Sequence, residues 1–341
     1  MMLYIVIAFL WWSILLYLLM GGADYGAGIL ELLTREGNRA GLKKTAYRAI
    51  GPIWEANHMW LIIAVVIIFV GFPDVYSLVS VHLHIPLTIM LMGIIARGTA
   101  FTFRNYDAVH DSWHRLYDRI YMYSSFITPM FLGIIAATAI SGRIDTDATD
   151  FPSGYILNWF NWFPLSVGLF TVCLCGSLAA IFLAGEVPGS DEKWRFIRKA
   201  KQMNGLATLF MVLLFVSASL QGIPLFRWLF GNVISLIADV IAAASLAMTW
   251  YMIYQSRVKT SRFYAGLMVM SLLISVSYPH FPNIVLLKNG GSLSILDHAA
   301  PSATINALGI ALLAGSVFIL PALVYLIWSF AKKRSVVDED H

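Results

Sequence analysis

Residues 51–62 read GPIWEANHMWLI and run directly into the apolar stretch IAVVIIFVGF at 63–72. The segment is apolar enough to lie in lipid, yet it carries a carboxylate at Glu55, an amide at Asn57 and an imidazole at His58. A charged group at bilayer depth costs at least ~2.5 kcal/mol on insertion scales, so such a group indicates a functional site by default. The stretch therefore predicts a membrane-spanning helix with a candidate site near one end.

The composition of the whole chain is that of a polytopic membrane protein. Of its 341 residues, 59% are hydrophobic and 12% are charged, and the mean hydropathy is +0.74. Apolar stretches of roughly 20 residues, the length that crosses the hydrocarbon, recur from end to end. The first has no basic leader or cleavage site and is expected to be retained. We predict an all-α fold in a single integral membrane domain over 1–341, with nine spans at about 3–33, 51–73, 78–103, 117–141, 160–185, 203–221, 229–255, 262–280 and 304–331.

Lysine and arginine residues concentrate in alternate connections between the predicted spans. Because basic residues collect in the cytoplasmic loops of membrane proteins, the alternation predicts an N-terminus outside the cell and a C-terminus inside. Topology also explains the net charge of +4 better than nucleic-acid binding does. The basic connections hold Arg35, Arg39, Lys43, Lys44 and Arg48; Arg104 and Arg115; Lys193, Arg195, Arg198, Lys199 and Lys201; Arg257, Lys259 and Arg262; and Lys332, Lys333 and Arg334.

Two pairs of charged residues have the same spacing on different spans. Asp24 and Glu31 lie seven residues apart at the end of the first span, and Arg97 and Arg104 lie seven apart at the end of the third. Seven residues are about two helical turns, so each pair shares one face of its helix. Because charges in a membrane are tolerated when they are paired, we expect the acidic face to pair with the basic one.

Two further carboxylates are predicted at the same cytoplasmic helix ends as Asp24 and Arg97. Asp118 begins the fourth span, and Glu55 lies near the start of the second, where the helix dipole favours an anion. One interpretation is a set of buried ion pairs that fixes helix register. The other is a proton-conducting cluster, in which desolvation and nearby positive charge balance the ionisation of the carboxylates. The residues alone leave both interpretations open, because structural networks perturb ionisation as functional ones do.

His58 is the only histidine well inside a predicted span. Axial haem ligation needs His, Met or Cys side chains held at the iron. Facing pairs of such residues are scarce here, so we expect no haem and no metal in this chain and a hydrogen-bonding role for His58. Trp54 and Trp60 flank Glu55 and Asn57, and tight packing explains these indoles about as well as a special role does.

Four motifs occur along the first half of the chain: GADYGAGILELL at 22–33, GPIWEANHMWLI at 51–62, ARGTAFTFR at 96–104 and YDRIYMYSSFITP at 117–129. Together they resemble subunit II of the cytochrome bd-type quinol oxidases. The resemblance covers essentially the whole chain, and the C-terminal stretches SYPHFPNIV at 277–285 and LSILDHAAPSATINALGIALL at 293–313 also fit it. The presence of Trp54-Glu55, where many members carry Trp-Asp, is similar to the branch called cyanide-insensitive oxidases.

The resemblance implies two four-helix bundles plus one peripheral helix, in a bacterial or archaeal cytoplasmic membrane. It implies a quinol:oxygen oxidoreductase of the aerobic respiratory chain, in which subunit I holds the haems and oxidises quinol. Subunit II is then a haem-free scaffold of the heterodimer that holds a structural quinone in some members, and a small accessory subunit is a further expected partner. By position, Glu55 matches a carboxylate of the proton path and Trp60 an aromatic at the oxygen route. Asp24, Arg97 and Asp118 match polar positions of the same helix ends.

Two other functions compete with this one. An ion-coupled secondary transporter acting alone would need broken helices near the midplane of both halves of the chain. Only the run Gly21–Gly28 is a candidate break, and the second half has no counterpart. A purely structural subunit would belong to the same complex without a proton role, and the sequence does not separate it from the first choice. We expect a proton-path subunit that uses Glu55, Asn57 and His58, with the catalytic residues in subunit I.

Overall fold

The structure is a computed structural model that describes residues 1–51, 54–106, 113–187, 189–255 and 257–339. Within these ranges, nine helical segments are long and apolar enough to cross a membrane, which confirms the predicted fold class. Pro52, in the motif that begins the second predicted span, lies outside the described residues. The nine segments are Met2–Leu32, Trp54–Gly71, His84–Arg104, Trp113–Ile140, Trp162–Ala184, Asp191–Leu220, Val233–Tyr254, Val258–His280 and Ser302–Tyr325.

Some helices differ in length from the apolar stretches that predict them. The sixth begins at Ser190 instead of near residue 203, because its charged first turns stay helical in water and Asp191 suits a helix N-terminus. The third begins at His84 instead of near residue 78, since Leu83 ends a separate short helix. The helices are α1 (Met2–Leu16), α2 (Gly22–Leu32), α3 (Glu36–Ile50), α4 (Trp54–Gly71), α5 (Pro73–His82), α6 (His84–Tyr106), α7 (Trp113–Ile140), α8 (Phe151–Tyr155), α9 (Trp162–Ala184), α10 (Ser190–Leu220), α11 (Leu225–Phe230), α12 (Val233–Tyr254), α13 (Val258–Ser277) and α14 (Ser302–Glu339).

The membrane helices pack as two bundles. The first contains α1 and α2 in one span together with α4, α6 and α7, and the second contains α9, α10, α12 and α13. Helix α9 packs against both α2 and α7 and so joins the bundles. Helix α14 contacts α1 and α4 and lies at the periphery.

Glycines of α2 bring its backbone close to two neighbouring helices. The sequence spaces Gly22 and Gly26 as a small-xxx-small pair, which predicts a close helix contact. A Cβ atom at Gly26 would lie 2.0 Å from the carbonyl oxygen of Cys175 on α9, whereas one at Gly22 would meet ordinary van der Waals distances. A Cβ at Gly28 would lie 2.2 Å from the Oγ of Ser125 on α7. Close packing therefore requires glycine at residues 26 and 28, and only Gly26 of the predicted pair is constrained in this way.

The first span contains one π-helical turn, Tyr17–Gly21, between α1 and α2. Such turns insert an extra residue into an α-helix and are frequent at functional sites. Gly21 leaves room for the ring of Tyr17, which would lie 3.0 Å from a Cβ at that position. The run Gly21–Gly28, the candidate break of a transporter helix, continues as helix into α2.

The longer connections are structured. The basic connection after the first span forms α3, which buries Leu42, Ala46, Ala49 and Ile50. On the opposite side, strands β1 (Asn283–Leu286) and β2 (Ser292–Ser294) form an antiparallel hairpin whose turn includes Gly290 at φ +84°. The turn lies in the sequence Asn289-Gly290-Gly291-Ser292, whose residue types are typical of turns. Lys288 beside the turn donates to Asp145 at 2.7 Å and holds the pKa of that carboxyl below its usual range.

Candidate functional site

Arg97 of α6 is fully buried and bound by a single carboxylate of α2. Its Nη1 and Nη2 donate to the two carboxylate oxygens of Asp24 at 2.8 and 2.7 Å, and Nη2 also donates to the backbone oxygen of Asp24 at 3.0 Å. Its Nε donates to Ser125 Oγ at 3.0 Å. Both partners of the pair are 0% exposed, and this bidentate geometry is the strong form of a charge-assisted hydrogen bond.

A second bidentate pair lies two turns along the same helices. Arg104 Nη1 and Nη2 donate to the two carboxylate oxygens of Glu31 at 2.9 and 2.8 Å, with both side chains nearly fully buried. The two pairs join the same faces of α2 and α6, as the equal seven-residue spacing predicts. Each arginine pairs with the acid that lies 73 residues before it in the sequence.

Tyr121 of α7 lies between the two guanidinium groups. The Cζ of Arg97 is 5.0 Å from the centre of its ring and the Cζ of Arg104 is 4.0 Å away, both distances typical of cation–π contact. Its hydroxyl also accepts from Arg97 Nη2 at 3.3 Å. The ring therefore links the two ion pairs and fixes α7 to both.

Asp118 connects this network to water. Its carboxylate accepts from Lys43 of α3 at 2.7 Å and lies 3.6 Å from Arg104 Nη1. About a third of each of the Lys43 and Asp118 side chains is exposed. The structure thus places Asp118 at the outer end of a series of contacts that leads inward through Arg104 and Tyr121.

At the inner end, His58 approaches Asp24. Its Nε2 is 3.8 Å from Asp24 Oδ2, and its ring lies 5.8 Å from that of Tyr25 and 6.2 Å from that of Trp54. Within the described residues, His58 Nδ1 has no hydrogen-bond partner, and neither do Asn57 Oδ1 and Trp60 Nε1. Because buried polar groups are nearly always hydrogen-bonded, these three atoms are where a proton carrier or a partner chain is most expected.

Glu55 does not join the buried carboxylates. Its side chain is exposed in the first turn of α4, and no ion pair to it is found among the residues that the structure describes. Asn57 is buried while Glu55 is exposed, because residues two apart on a helix do not face each other. Trp54, beside it, packs on Phe101 of α6 with ring centres 5.0 Å apart.

Several members of the network were missed in the sequence. Tyr121 and Ser125 follow Asp118 at spacings of three and seven, which places all three on one face of α7 and was the available signal. Tyr25 and Tyr17, whose hydroxyls are 3.0 Å apart, had no comparable pattern. Asp239 of α12, a half-buried carboxylate in the second bundle, was also overlooked.

The fold and the network together define a polytopic membrane protein whose first bundle holds paired charges at bilayer depth. The family described as "Cytochrome bd terminal oxidase subunit II" matches residues 2–330. Because the match covers nearly the whole chain, the chain belongs to this family and is a subunit of a cytochrome bd-type terminal oxidase. Membership as subunit II implies a partner subunit I.

Individual relatives agree with the family match. The chain is 24% identical over 334 residues to the cytochrome bd ubiquinol oxidase subunit 2 of Bacillus subtilis, a match that spans 96% of each protein. It is 24% identical over 250 residues to the bd-I ubiquinol oxidase subunit 2 of Escherichia coli, which spans 71% of this chain and 63% of that protein. The bd oxidase structure from Geobacillus thermodenitrificans superposes with a TM-score of 0.77 at 19% identity over 96% of this chain and 98% of that one, which shows a shared fold.

The bidentate pairs predict strong energetic coupling between α2 and α6. Each single variant, Asp24→Asn or Arg97→Met, leaves the other member of the pair as an uncompensated buried charge. Each should therefore lower the free energy of unfolding of the purified complex by about 3–5 kcal/mol. The double variant should cost less than the sum of the single ones by at least about 1 kcal/mol. Strictly additive losses would show that the two groups do not interact.

The exposed pair Glu36–Arg39, at 3.8 Å with the glutamate side chain 92% exposed, provides the control cycle. Glu36→Gln and Arg39→Gln should show little coupling, because solvent screens a surface ion pair.

Proposed function

We propose that this chain is the haem-free subunit of a quinol:oxygen oxidoreductase, that it supports the haem-bearing subunit I, and that it contributes a proton path from the cytoplasm. The observation that carries the proposal is the series of ionic and cation–π contacts from Asp118 at the aqueous edge to His58 in the bundle interior. It passes through Arg104, the Tyr121 ring, Arg97 and Asp24. The ionic distances are 2.7 to 3.8 Å, and the guanidinium carbons lie 4.0 and 5.0 Å from the centre of the ring.

The members of this series differ in what they do. In each bidentate pair both carboxylate oxygens of Asp24 or Glu31 accept from one guanidinium, so we assign the pairs to holding the geometry of the path. Asp118, His58 and Glu55 have no such bidentate partner among the residues that the structure describes, and we propose them as the proton carriers.

Glu55 is proposed to act at the boundary with subunit I. An exposed carboxylate on a membrane helix is costly in lipid, whereas a partner subunit supplies polar groups or water. The same helix exposes large apolar side chains further along, with Ile62 62% and Phe69 56% exposed, a surface that lipid or another subunit covers in the membrane. This placement gives Glu55 access to a proton acceptor outside this chain.

Trp60 lies at an apolar cavity that suits a route for oxygen. The cavity has a volume of about 360 Å³ and lies between α1, α4 and α14. Oxygen is apolar and partitions into such a space, so we assign Trp60 to the oxygen route. A structural quinone in this chain and a small accessory subunit stay predictions. The cavity lining includes Ala8, Phe9, Trp12, Trp60, Ile63, Ala311, Leu312, Gly315, Ser316, Ile319 and Leu320.

Haem is predicted to be absent from this chain when it is expressed and folded without subunit I. His58 is enclosed by the rings of Tyr17, Tyr25 and Trp54 at 5.8 to 6.4 Å, which leaves little room for a porphyrin at the imidazole. Haem content by pyridine haemochrome spectroscopy should be far below one per chain. A stoichiometric haem that is lost in His58→Ala would contradict the proposal.

The orientation in the membrane is predicted from the basic loops, with the N-terminus outside and the C-terminus in the cytoplasm. Asp147 and Glu36 are exposed in connections on opposite sides of the bundle, and the native cysteines Cys173 and Cys175 are buried. A membrane-impermeant maleimide added to intact cells should label Asp147→Cys and leave Glu36→Cys unlabelled until the cells are permeabilised. The reverse pattern would overturn both the orientation and the direction of proton uptake.

Glu55→Gln separates a proton role from a structural one, because it preserves shape and most hydrogen bonds and removes the titratable proton. We expect normal assembly and haem content, with proton uptake from the cytoplasmic side slowed by about 10²-fold, the usual contribution of a positioned proton-transfer group. Proton uptake during quinol-driven oxygen reduction is the measurement. Glu55→Asp should be milder, since it keeps the acid and loses only reach.

The matched control is Glu36→Gln, which removes an exposed carboxylate on the same basic side of the bundle and should turn over at the wild-type rate. Wild-type proton uptake in Glu55→Gln would show that Glu55 is a structural residue and not a proton carrier.

A further inference from the structure

A groove lies between the end of α2 and the basic half of α10, outside the ion-pair network. Its volume is about 470 Å³. One wall is the last turn of α2 and the other is a single face of α10. The residues that line it are Leu30, Leu33, Lys199, Gln202, Met203, Gly205 and Leu206.

The face of α10 that borders the groove changes from charged to apolar along the helix. Arg195, Lys199, Gln202 and Leu206 follow one another at spacings of four, three and four, so they form a single stripe along the helix. Arg195 is exposed at the charged end, and Lys199 lies one turn further in. The stripe therefore offers positive charge, then an amide, then aliphatic surface, which is the order of groups met on moving from the membrane surface into the hydrocarbon.

Lys199 stands where the two walls meet. Its Nζ donates to the backbone oxygen of Leu33, the residue that ends α2, at 3.3 Å. An ammonium group has three donors, so this contact leaves two of them for another acceptor.

The apolar end of the groove is open. Among the described residues, and apart from the nearby backbone of α10 and the chain neighbours of Gly205, no atom lies within 4 Å of the position that a Cβ would occupy at Gly205. The side chains of Leu33 and Leu206 beside it are 53% and 38% exposed. A glycine at this point of a helix leaves a channel along the helix surface that a side chain would fill.

We infer that this groove binds an anionic phospholipid, with its phosphodiester at Lys199 and one acyl chain along Gly205 and Leu206. Every lipid in the bilayer offers similar acyl chains, so the groove distinguishes lipids by the head group. The phosphodiester of a lipid would accept hydrogen bonds from Lys199 and Gln202. In phosphatidylcholine the positive choline group would lie close to the positive charge of Arg195, whereas an anionic head group brings no positive charge there. The occupant is therefore a lipid such as phosphatidylglycerol, in preference to phosphatidylcholine.

The competing explanation is that Lys199 only stabilises the end of α2, where the free carbonyls favour a cation. That role predicts a loss of thermal stability on removing the charge, without any change in which lipid is bound. Lipid binding predicts a change of selectivity that depends on both the charge and the shape of the groove.

The test uses the assembled complex of this chain with subunit I, purified in detergent and titrated with dioleoyl phosphatidylglycerol or dioleoyl phosphatidylcholine. Lipid retained per complex is counted by native mass spectrometry. Wild-type complex should retain the phosphatidylglycerol preferentially. Lys199→Gln should reduce that preference about fivefold, the contribution of one basic residue near an anionic lipid. Gly205→Phe should abolish retention at this site, because the ring fills the acyl channel and leaves the charge intact.

Two controls keep the outcome interpretable. Lys201→Gln removes an exposed charge from a different face of α10, and Gly205→Ala adds only a methyl group where there is space. Both should retain phosphatidylglycerol as the wild type does. Unchanged preference in Lys199→Gln, or unchanged retention in Gly205→Phe, would overturn the inference, and loss of thermal stability in Lys199→Gln with wild-type lipid selectivity would leave Lys199 as a helix cap.

Discussion

The first bundle depends on one guanidinium that is held at bilayer depth by one carboxylate. Neither Arg97 nor Asp24 is tolerable there alone, since the cost of desolvating an ion is recovered only by a well-aligned partner. The pair therefore fixes the rotation and the height of α2 against α6 together. Arg104 and Glu31 repeat the constraint two turns away, so any sliding of one helix along the other would break both pairs at once.

The same constraint separates the carboxylates that arginine binds on both oxygens from those that it does not. An acid whose two oxygens are both bound by arginine is poorly suited to exchange protons on each turnover, whatever its depth in the membrane. Asp118 accepts from Lys43 at the aqueous edge and lies 3.6 Å from Arg104 without a bidentate pair, and Glu55 is exposed on α4. In the proton route that we propose, the tight pairs form the walls and the loosely held acids are the carriers.

The sequence was informative wherever the spacing of residues shows which face of a helix their side chains share. The equal intervals in Asp24–Glu31 and Arg97–Arg104 predicted which faces meet, and the long apolar stretches predicted the nine spans. The surroundings of these residues were not predictable in this way. Tyr121 is placed between two arginines by the packing of a third helix, and α2 approaches α7 only because Gly28 has no side chain. The exposure of Glu55 was not predictable either, because a motif given along the chain does not show that its neighbours point to different sides of the helix.

The π-helical turn at Tyr17–Gly21 changes the rotation of α2 about the helix axis relative to α1, although both belong to the first span. It adds a residue without adding a turn, so α2 is rotated by about 100° relative to a helix continued in phase from α1. That offset lets α1 present one face to α4 while α2 presents its acids to α6. Loss of a single residue from this turn would restore a regular helix and carry both acids away from their arginines. The number of residues between Leu16 and Gly22 is thus a structural constraint in its own right, separate from their identity.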